Sequence, residues 1–271
     1  MIRSRPARIN LFCCFCRQRL LNRIQEIMNY HLQSYTRKVD ELLRSAGAVC
    51  EVYGEVDGHK LKGYDLIRAD LPIVYISTGM HGDEPGGPEA LLSLLENGLL
   101  DRQLSFYICP MLNPTGFAKG TRENASGNDM NRDYFHQLNP EVRDHVKWLE
   151  NRNPDLFISL HEDWESGGFY FYEINTCGDI PERYEFMAEK IAEVMVLEAE
   201  QVIDDHEVRR RGWIYHEAEA DVMDHWPEAI YMAKKDCTLS FTFESPSALA
   251  MRHRVAAQSA AVNSLLDFMY G

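Results

Sequence analysis

Ile73-Val74-Tyr75-Ile76-Ser77-Thr78-Gly79-Met80-His81-Gly82-Asp83-Glu84 is the stretch on which the fold turns. Its first four residues are apolar and rich in β-branched and aromatic side chains, the composition of a buried strand. The run meets a glycine turn and then delivers a histidine and a glutamate separated by two residues, His81-x-x-Glu84. Pro85, Gly86, Gly87 and Pro88 follow, and Glu89-Ala90-Leu91-Leu92-Ser93-Leu94-Leu95 reads as a helix. Two metal ligands therefore lie on a strand-to-helix turn at the carboxyl end of a strand, where open α/β sheets place their sites. Imidazole nitrogen and carboxylate oxygen are both zinc donors, and a catalytic zinc takes three protein ligands plus a water. Alone, the pair is weak evidence. In a chain with 10 histidines and 42 acidic residues, a capped, solvated turn is the simpler account.

The same pattern recurs further along. Leu156-Phe157-Ile158-Ser159-Leu160 is a second buried-type strand ending in His161-Glu162-Asp163, and Cys237-Thr238-Leu239-Ser240-Phe241-Thr242-Phe243 is a third ending in Glu244, with Pro246 as its stop. Leu104-Ser105-Phe106-Tyr107-Ile108-Cys109 is another, ending in the turn-rich Pro110–Phe117 stretch. Two apolar strands that each deliver a histidine at the carboxyl end make His161 a candidate third ligand. Helical spacing of apolar residues marks residues 23–46, 140–149, 181–197 and 248–269. Residues 48–56 and 61–67 read as strands joined by Asp57-Gly58, a type I′ hairpin signal. Strands alternating with helices predict an α/β fold, a single domain with a mixed, mostly parallel central sheet between helical layers, α/β/α. Phe169-Tyr170-Phe171-Tyr172 alternates, so two aromatics face the core and two a cleft or solvent. Arg209-Arg210-Arg211 reads as a solvated turn, and residues 216–232 show no clean period.

A chain of 271 residues with 45% hydrophobic content can bury a sizeable core. Its net charge of −14 argues against a nucleic-acid partner and against an anionic membrane surface. No apolar run reaches the ~18 residues of a membrane span. Seven scattered cysteines, an odd number, do not form a disulfide framework, which points to a reducing, cytoplasmic compartment. Residues 1–27 differ from the rest, with six arginines against one glutamate, +5, leaving −19 for the remainder. This basic extension reads as a disordered tail or as sequence upstream of a true start at Met28, with an organelle transit peptide as the alternative. The Cys14-x-Cys16 pair within it has metal-ligand chemistry, with chance spacing as the simpler reading.

A long polar loop runs from Thr121 to Asp133 and carries Arg122, Asn124, Asn128, Asn131 and Arg132. Loops of this kind are functional or disordered. Guanidinium and carboxamide donors suit an anion site, and a solvated surface loop is the alternative.

Taken in order, these pieces resemble the carboxypeptidase A-like family of zinc metallopeptidases. The pieces are His81-x-x-Glu84, Asn113-Pro114-x-Gly116, Arg122 with Gly127-x-Asp129-x-Asn131-Arg132, His161 after an apolar strand, and Phe241-Thr242-Phe243-Glu244. The short spacing from Arg122 to Asn131 is more similar to small bacterial members, murein-peptide amidases among them, than to the digestive enzymes. The resemblance implies a zinc carboxypeptidase-like catalytic domain over residues 28–271, binding one Zn2+ through His81, Glu84 and His161. It implies that Asp129 orients a zinc-bound histidine and that Glu244 is the general base. Arg122 would stabilise the oxyanion, and Asn131 with Arg132 would hold a terminal carboxylate. A substrate-capping tyrosine would be Tyr215 or Tyr231. Glu162, Asp163 and Glu165 beside His161 leave room for a second metal ion, with ordinary surface acids as the simpler reading.

The implied activity is hydrolysis of a peptide bond next to a free carboxylate, on a small peptide or cell-wall fragment. The alternative is an N-acyl amino acid deacylase, related to succinylglutamate desuccinylase and aspartoacylase. Those relatives share His-x-x-Glu and Asn-Arg and usually carry a β-rich C-terminal domain, whereas here a helix follows Glu244, which favours the peptidase. A binding protein on the same scaffold is disfavoured because no ligand or base is missing.

Overall fold

A computed structural model of the chain describes residues 31–178 and 180–271. The basic extension of residues 1–27, its cysteines and the expected start at Met28 lie outside the described residues. Helix α1 covers residues 31–45. Strands β1 (Val49–Val56) and β2 (His59–Leu66) form a hairpin, followed by β3 (Ile73–Thr78) and helix α2 (Gly86–Glu96). Then come β4 (Ser105–Cys109), α3 (Pro114–Lys119), α4 (Pro140–Leu149), β5 (Leu156–Asp163) and β6 (Tyr170–Asn175). The last part holds α5 (Pro181–Ala192), β7 (Val202–Ile203), β8 (His206–Glu207), β9 (Trp213–His216), α6 (Glu228–Lys234), β10 (Leu239–Pro246) and α7 (Met251–Tyr270). At the predicted hairpin turn Asp57 and Gly58 have φ of 49° and 77°, both in the left-handed region that a type I′ turn demands.

Eight strands form one mixed sheet in the order β1-β2-β4-β3-β5-β10-β6-β9. Its centre, β4-β3-β5-β10, is parallel, and antiparallel pairs occur toward both edges. Strand alternation builds a core on each face of this sheet. Val74, Ile76, Ile158 and Phe241 join one cluster with α1, α2, α5 and α7, including Leu91, Met187 and Leu265. Tyr75, Phe157 and Cys109 point the other way, into a second cluster with Val142, Trp148 and Met232 of α4 and α6. The fold is thus the three-layer, single-domain α/β architecture expected from the alternation of strands and helices.

Two expectations need correction. Helix α5 stops at Ala192, not at residue 197. Beyond it the chain turns to pair with the sheet. Phe169 N–H donates to the Val196 carbonyl at 2.9 Å and Glu198 N–H donates to the Phe169 carbonyl at 2.8 Å. These bonds, together with β-branched Val194 and Val196, offer the backbone a better arrangement than further helix. Residues 213–216 and 228–234 also form a strand and a helix where no strand was expected at the first and no period was legible at the second.

Candidate metal and catalytic site

β3 and β5 are parallel neighbours, with Thr78 paired to Leu160. The turn after β3 and the last residues of β5 therefore converge at one edge of the sheet. Gly79 has φ of 67°, which redirects the chain after β3. Gly82 lies so close to the Gly116–Phe117 backbone that a Cβ on it would sit 1.9 Å from the Gly116 carbonyl carbon. This contact explains the neighbouring Asn113-Pro114-x-Gly116 segment. The Asn113 side chain caps α3 by accepting from Gly116 N–H at 2.8 Å and donates to the Arg122 carbonyl at 3.2 Å. The ligand turn, the α3 cap and the Arg122 loop thus brace one another.

His81, Glu84 and His161 come together, and all are buried. His81 Nδ1 lies 2.6 Å from Glu84 Oε1, and His161 Nδ1 lies 3.0 Å from Glu84 Oε2. The two imidazole rings meet edge to face at 5.0 Å. Three donor atoms, two aromatic nitrogens and a carboxylate oxygen, all lie within 4.8 Å of one another. That donor set suits zinc. Burial would raise the Glu84 carboxyl, but the two histidines hold it well below the usual carboxylate range. Burial likewise opposes protonation of His81, yet Glu84 and Asp129 raise it; in His161 burial prevails and lowers it.

The remaining expected residues surround this trio. Asp129 Oδ1 lies 3.2 Å from His81 Nε2, and its Oδ2 accepts from Arg122 Nε at 3.1 Å. The guanidinium of Arg122 also reaches Glu84 Oε1 at 3.4 Å. Glu244 on β10 is paired in register with His161 on β5, so the two side chains leave the sheet on the same face. Glu244 Oε2 is buried without a hydrogen-bond partner. Burial and the carboxylates of Glu84, Asp163 and Asp204 push its carboxyl well up. Asn131 and Arg132 stand on a short 3-10 turn, Met130–Arg132, which the Asp129 side chain caps. Asn131 Oδ1 accepts the backbone N–H of Glu228 at 2.9 Å. His81, Glu84, His161, Arg122, Asn131, Arg132 and Glu244 line one cavity of about 630 Å³.

Tyr215 and Tyr231 do not line it. On β9 successive side chains face opposite sides, so Tyr215 packs toward the α5 side while His216 faces the cavity. The Tyr215 hydroxyl donates to the Asn175 carbonyl at 2.7 Å. Tyr231 packs against Tyr134, with ring centroids 5.5 Å apart. The tyrosines in the cavity are Tyr170 and Tyr172 on β6, while Phe169 and Phe171 fill the core. The sequence signal for these was the four-residue aromatic alternation.

Glu162 also departs from expectation. It is buried and not a surface acid: its carboxyl group accepts Gly86 N–H at the start of α2 at 2.7 Å and Arg254 of α7 at 2.8 Å. Among the described residues it joins no group able to hold a metal.

A further buried network, not legible in the sequence, lies beneath Asn131. Glu228 accepts hydroxyl protons from Tyr75 at 2.7 Å and Ser77 at 2.8 Å. With Tyr75 donating there, His145 Nε2–H donates to Tyr75 oxygen at 2.9 Å, and His145 Nδ1 accepts from Tyr134 at 2.8 Å. Burial pushes Glu228 up to about 7 and His145 down to about 3.

Comparison with known proteins adds sequence and fold evidence. Residues 70–164 match the family model of the succinylglutamate desuccinylase/aspartoacylase catalytic domain. Carboxypeptidase SOL1 of Arabidopsis thaliana is 32% identical over 117 residues, 35% of this chain and 23% of that protein. The matched segment thus spans less than a quarter of that curated relative. A candidate metallopeptidase from Shewanella denitrificans OS217 has a similar structure, with a TM-score of 0.78 and 24% identity over 89% of this chain and 92% of that one. A metallo-carboxypeptidase from Pseudomonas aeruginosa, crystallised with (2-guanidinoethylmercapto)succinic acid, gives 0.60 and 17% over 87% and 68%. Both structural likenesses concern the fold. Among the described residues no helix is long and apolar enough to cross a membrane.

Proposed function

From its resemblance to the carboxypeptidase A-like metallopeptidases and the desuccinylase/aspartoacylase catalytic domains, we propose that this chain is a zinc-dependent metallocarboxypeptidase. It hydrolyses an amide bond next to a free carboxylate. The observation that carries this reading is the convergence of His81, Glu84 and His161 beside Glu244, in register on the next strand. Zinc held by those three residues would supply a Lewis acid able to bring a water's pKa toward ~7. Glu244 takes a proton from the attacking water and returns it to the leaving amine. Burial and the neighbouring carboxylates raise its carboxyl, and the charge of a cation at the His81 trio would offset that and leave Glu244 ionised, as a base requires.

Arg122, fixed by Asp129, presents its guanidinium to the oxyanion that develops on the carbonyl, stabilising the transition state over the ground state. Asp129 accepts the Nε2 proton of His81 and so keeps Nδ1 available as a ligand. Arg132 is exposed on the cavity wall beside Asn131, and the pair holds the substrate carboxylate. Tyr170 and Tyr172 take the substrate-facing place first expected of Tyr215 or Tyr231.

The family-model match supports a second reading, an N-acyl amino acid deacylase built on the same residues. Both are tested by measuring bound zinc and assaying blocked dipeptides, murein peptides and N-acyl amino acids. Glu244→Gln is expected to keep its zinc and lose about 10²–10⁴-fold in kcat. The preferred substrate decides between peptidase and deacylase. A wild-type protein without metal, or zinc unaffected by replacing His81 and His161 together, would sink both.

A further inference from the structure

A second group of metal-type donors lines the same cavity: His206, His216 and Asp221. His206 opens β8, directly after a two-residue hairpin turn at Asp204 and Asp205, whose φ values of 47° and 64° are those of a type I′ turn. His216 closes β9, paired with Ile174. Asp221 comes from the loop between β9 and α6. The Nε2 atoms of the two histidines lie 3.5 Å and 3.4 Å from the two Asp221 oxygens. Those separations are long for an N–H···O hydrogen bond, about 2.9–3.0 Å. They leave room for an ion bound at ~2.0–2.1 Å from each donor, and one donor atom from each of the three residues lies within 4.8 Å of the other two. The tautomer points the same way. His216 Nδ1 donates to the Glu217 carbonyl at 2.6 Å, which turns Nε2 toward Asp221 as the ring atom free to bind an ion.

We propose that His206, His216 and Asp221 form a second zinc site, separate from the His81 trio, with an open position toward the cavity. The ion ties together the β7–β8 hairpin, β9 and the loop before α6. The inference does not rest on the catalytic reading, because neither its ligands nor its test involves turnover.

The test is zinc content of the full chain, loaded with zinc chloride and dialysed, with chelator competition for affinity. Wild type is expected to hold two zinc ions per chain. His216→Ala and Asp221→Asn are each expected to hold one, with at least ~100-fold weaker binding at the altered site. His81→Ala with His161→Ala is also expected to hold one, which the further change Asp221→Asn removes. Asp221 is exposed, so Asp221→Asn keeps the fold, and unchanged circular dichroism verifies this. A wild type with a single zinc that Asp221→Asn leaves in place overturns the second site while sparing the first. A zinc lost with Asp221→Asn but kept without His81 and His161 supports the second site even if the first fails.

Discussion

The two histidine–carboxylate groups in this cavity use the same donor chemistry on opposite kinds of scaffold. His81, Glu84 and His161 stand at the ends of central parallel strands, buried, with Asp129, Arg122 and the Glu162 backbone N–H arranged around them. His206, His216 and Asp221 stand on a two-residue strand, a sheet-edge strand and a loop, and Asp221 is exposed. A ligand set at the centre of a sheet is fixed by every strand beside it. A set at the rim is fixed by its own turn and by whatever binds it. The contrast separates a preorganised centre from one that an ion would complete.

Arg122→Ala should break the contrast most visibly. It is expected to lower kcat by about 10²–10³-fold, the effect of removing one oxyanion donor, while the outer group's zinc content stays as it was. Equal loss at both sites, measured by steady-state kinetics with metal analysis, would mean that the two groups are not built independently.

Next in size is the pH dependence of stability beneath the central group. Burial raises Glu228 from 4.5 to about 7, so its contribution is fully present below pH 4.5 and is lost as pH rises toward 7, roughly 3 kcal/mol. Burial lowers His145 from 6.5 to about 3, so its contribution is present above pH 6.5 and is lost as pH falls toward 3. The two trends offset each other between pH 4.5 and 6.5. In Glu228→Gln only the histidine trend remains, so the variant should gain on wild type in Tm as pH rises from 4.5 to 7. Parallel Tm profiles would show that Glu228 does not titrate in this range. The smallest effect is expected at the rim, where Met223 is 87% exposed. Met223→Ala should change stability by less than about 0.5 kcal/mol in a denaturant melt. A larger loss would mean that this loop is packed as tightly as the centre.

The same contrast sets what the sequence revealed. The central strands are apolar runs ending abruptly in His81, His161 and Glu244, so period, length and stop all coincide, and neighbouring strands bring those ends together. The Asp57-Gly58 hairpin was legible because its turn chemistry is local. The region from about residue 193 to 234 was not. Its strands β7 and β8 have two residues each and α6 has seven, too short for a period to emerge. Tyr215 and Tyr231 were misplaced for the same reason, since only the register of β9 and the start of α6 decide which side chains face the cavity. Glu162 looked like one of three clustered acids, and its role depends on Arg254, which stands 92 positions away. Glu228 likewise meets Tyr75 and Ser77 only through tertiary packing, over separations of 153 and 151 residues.

The register of His161 beside Glu244 has a kinetic meaning as well. Glu84 and His161 are separated by 77 positions along the chain, and Glu244 arrives on the last strand, which enters the sheet between β5 and β6. Parallel strands brought together across such separations incur their loop-closure entropy before any of their contacts form. A metal ion that needs all three of His81, Glu84 and His161 would then be captured late in this chain's maturation, as a chemical signature that its middle has closed.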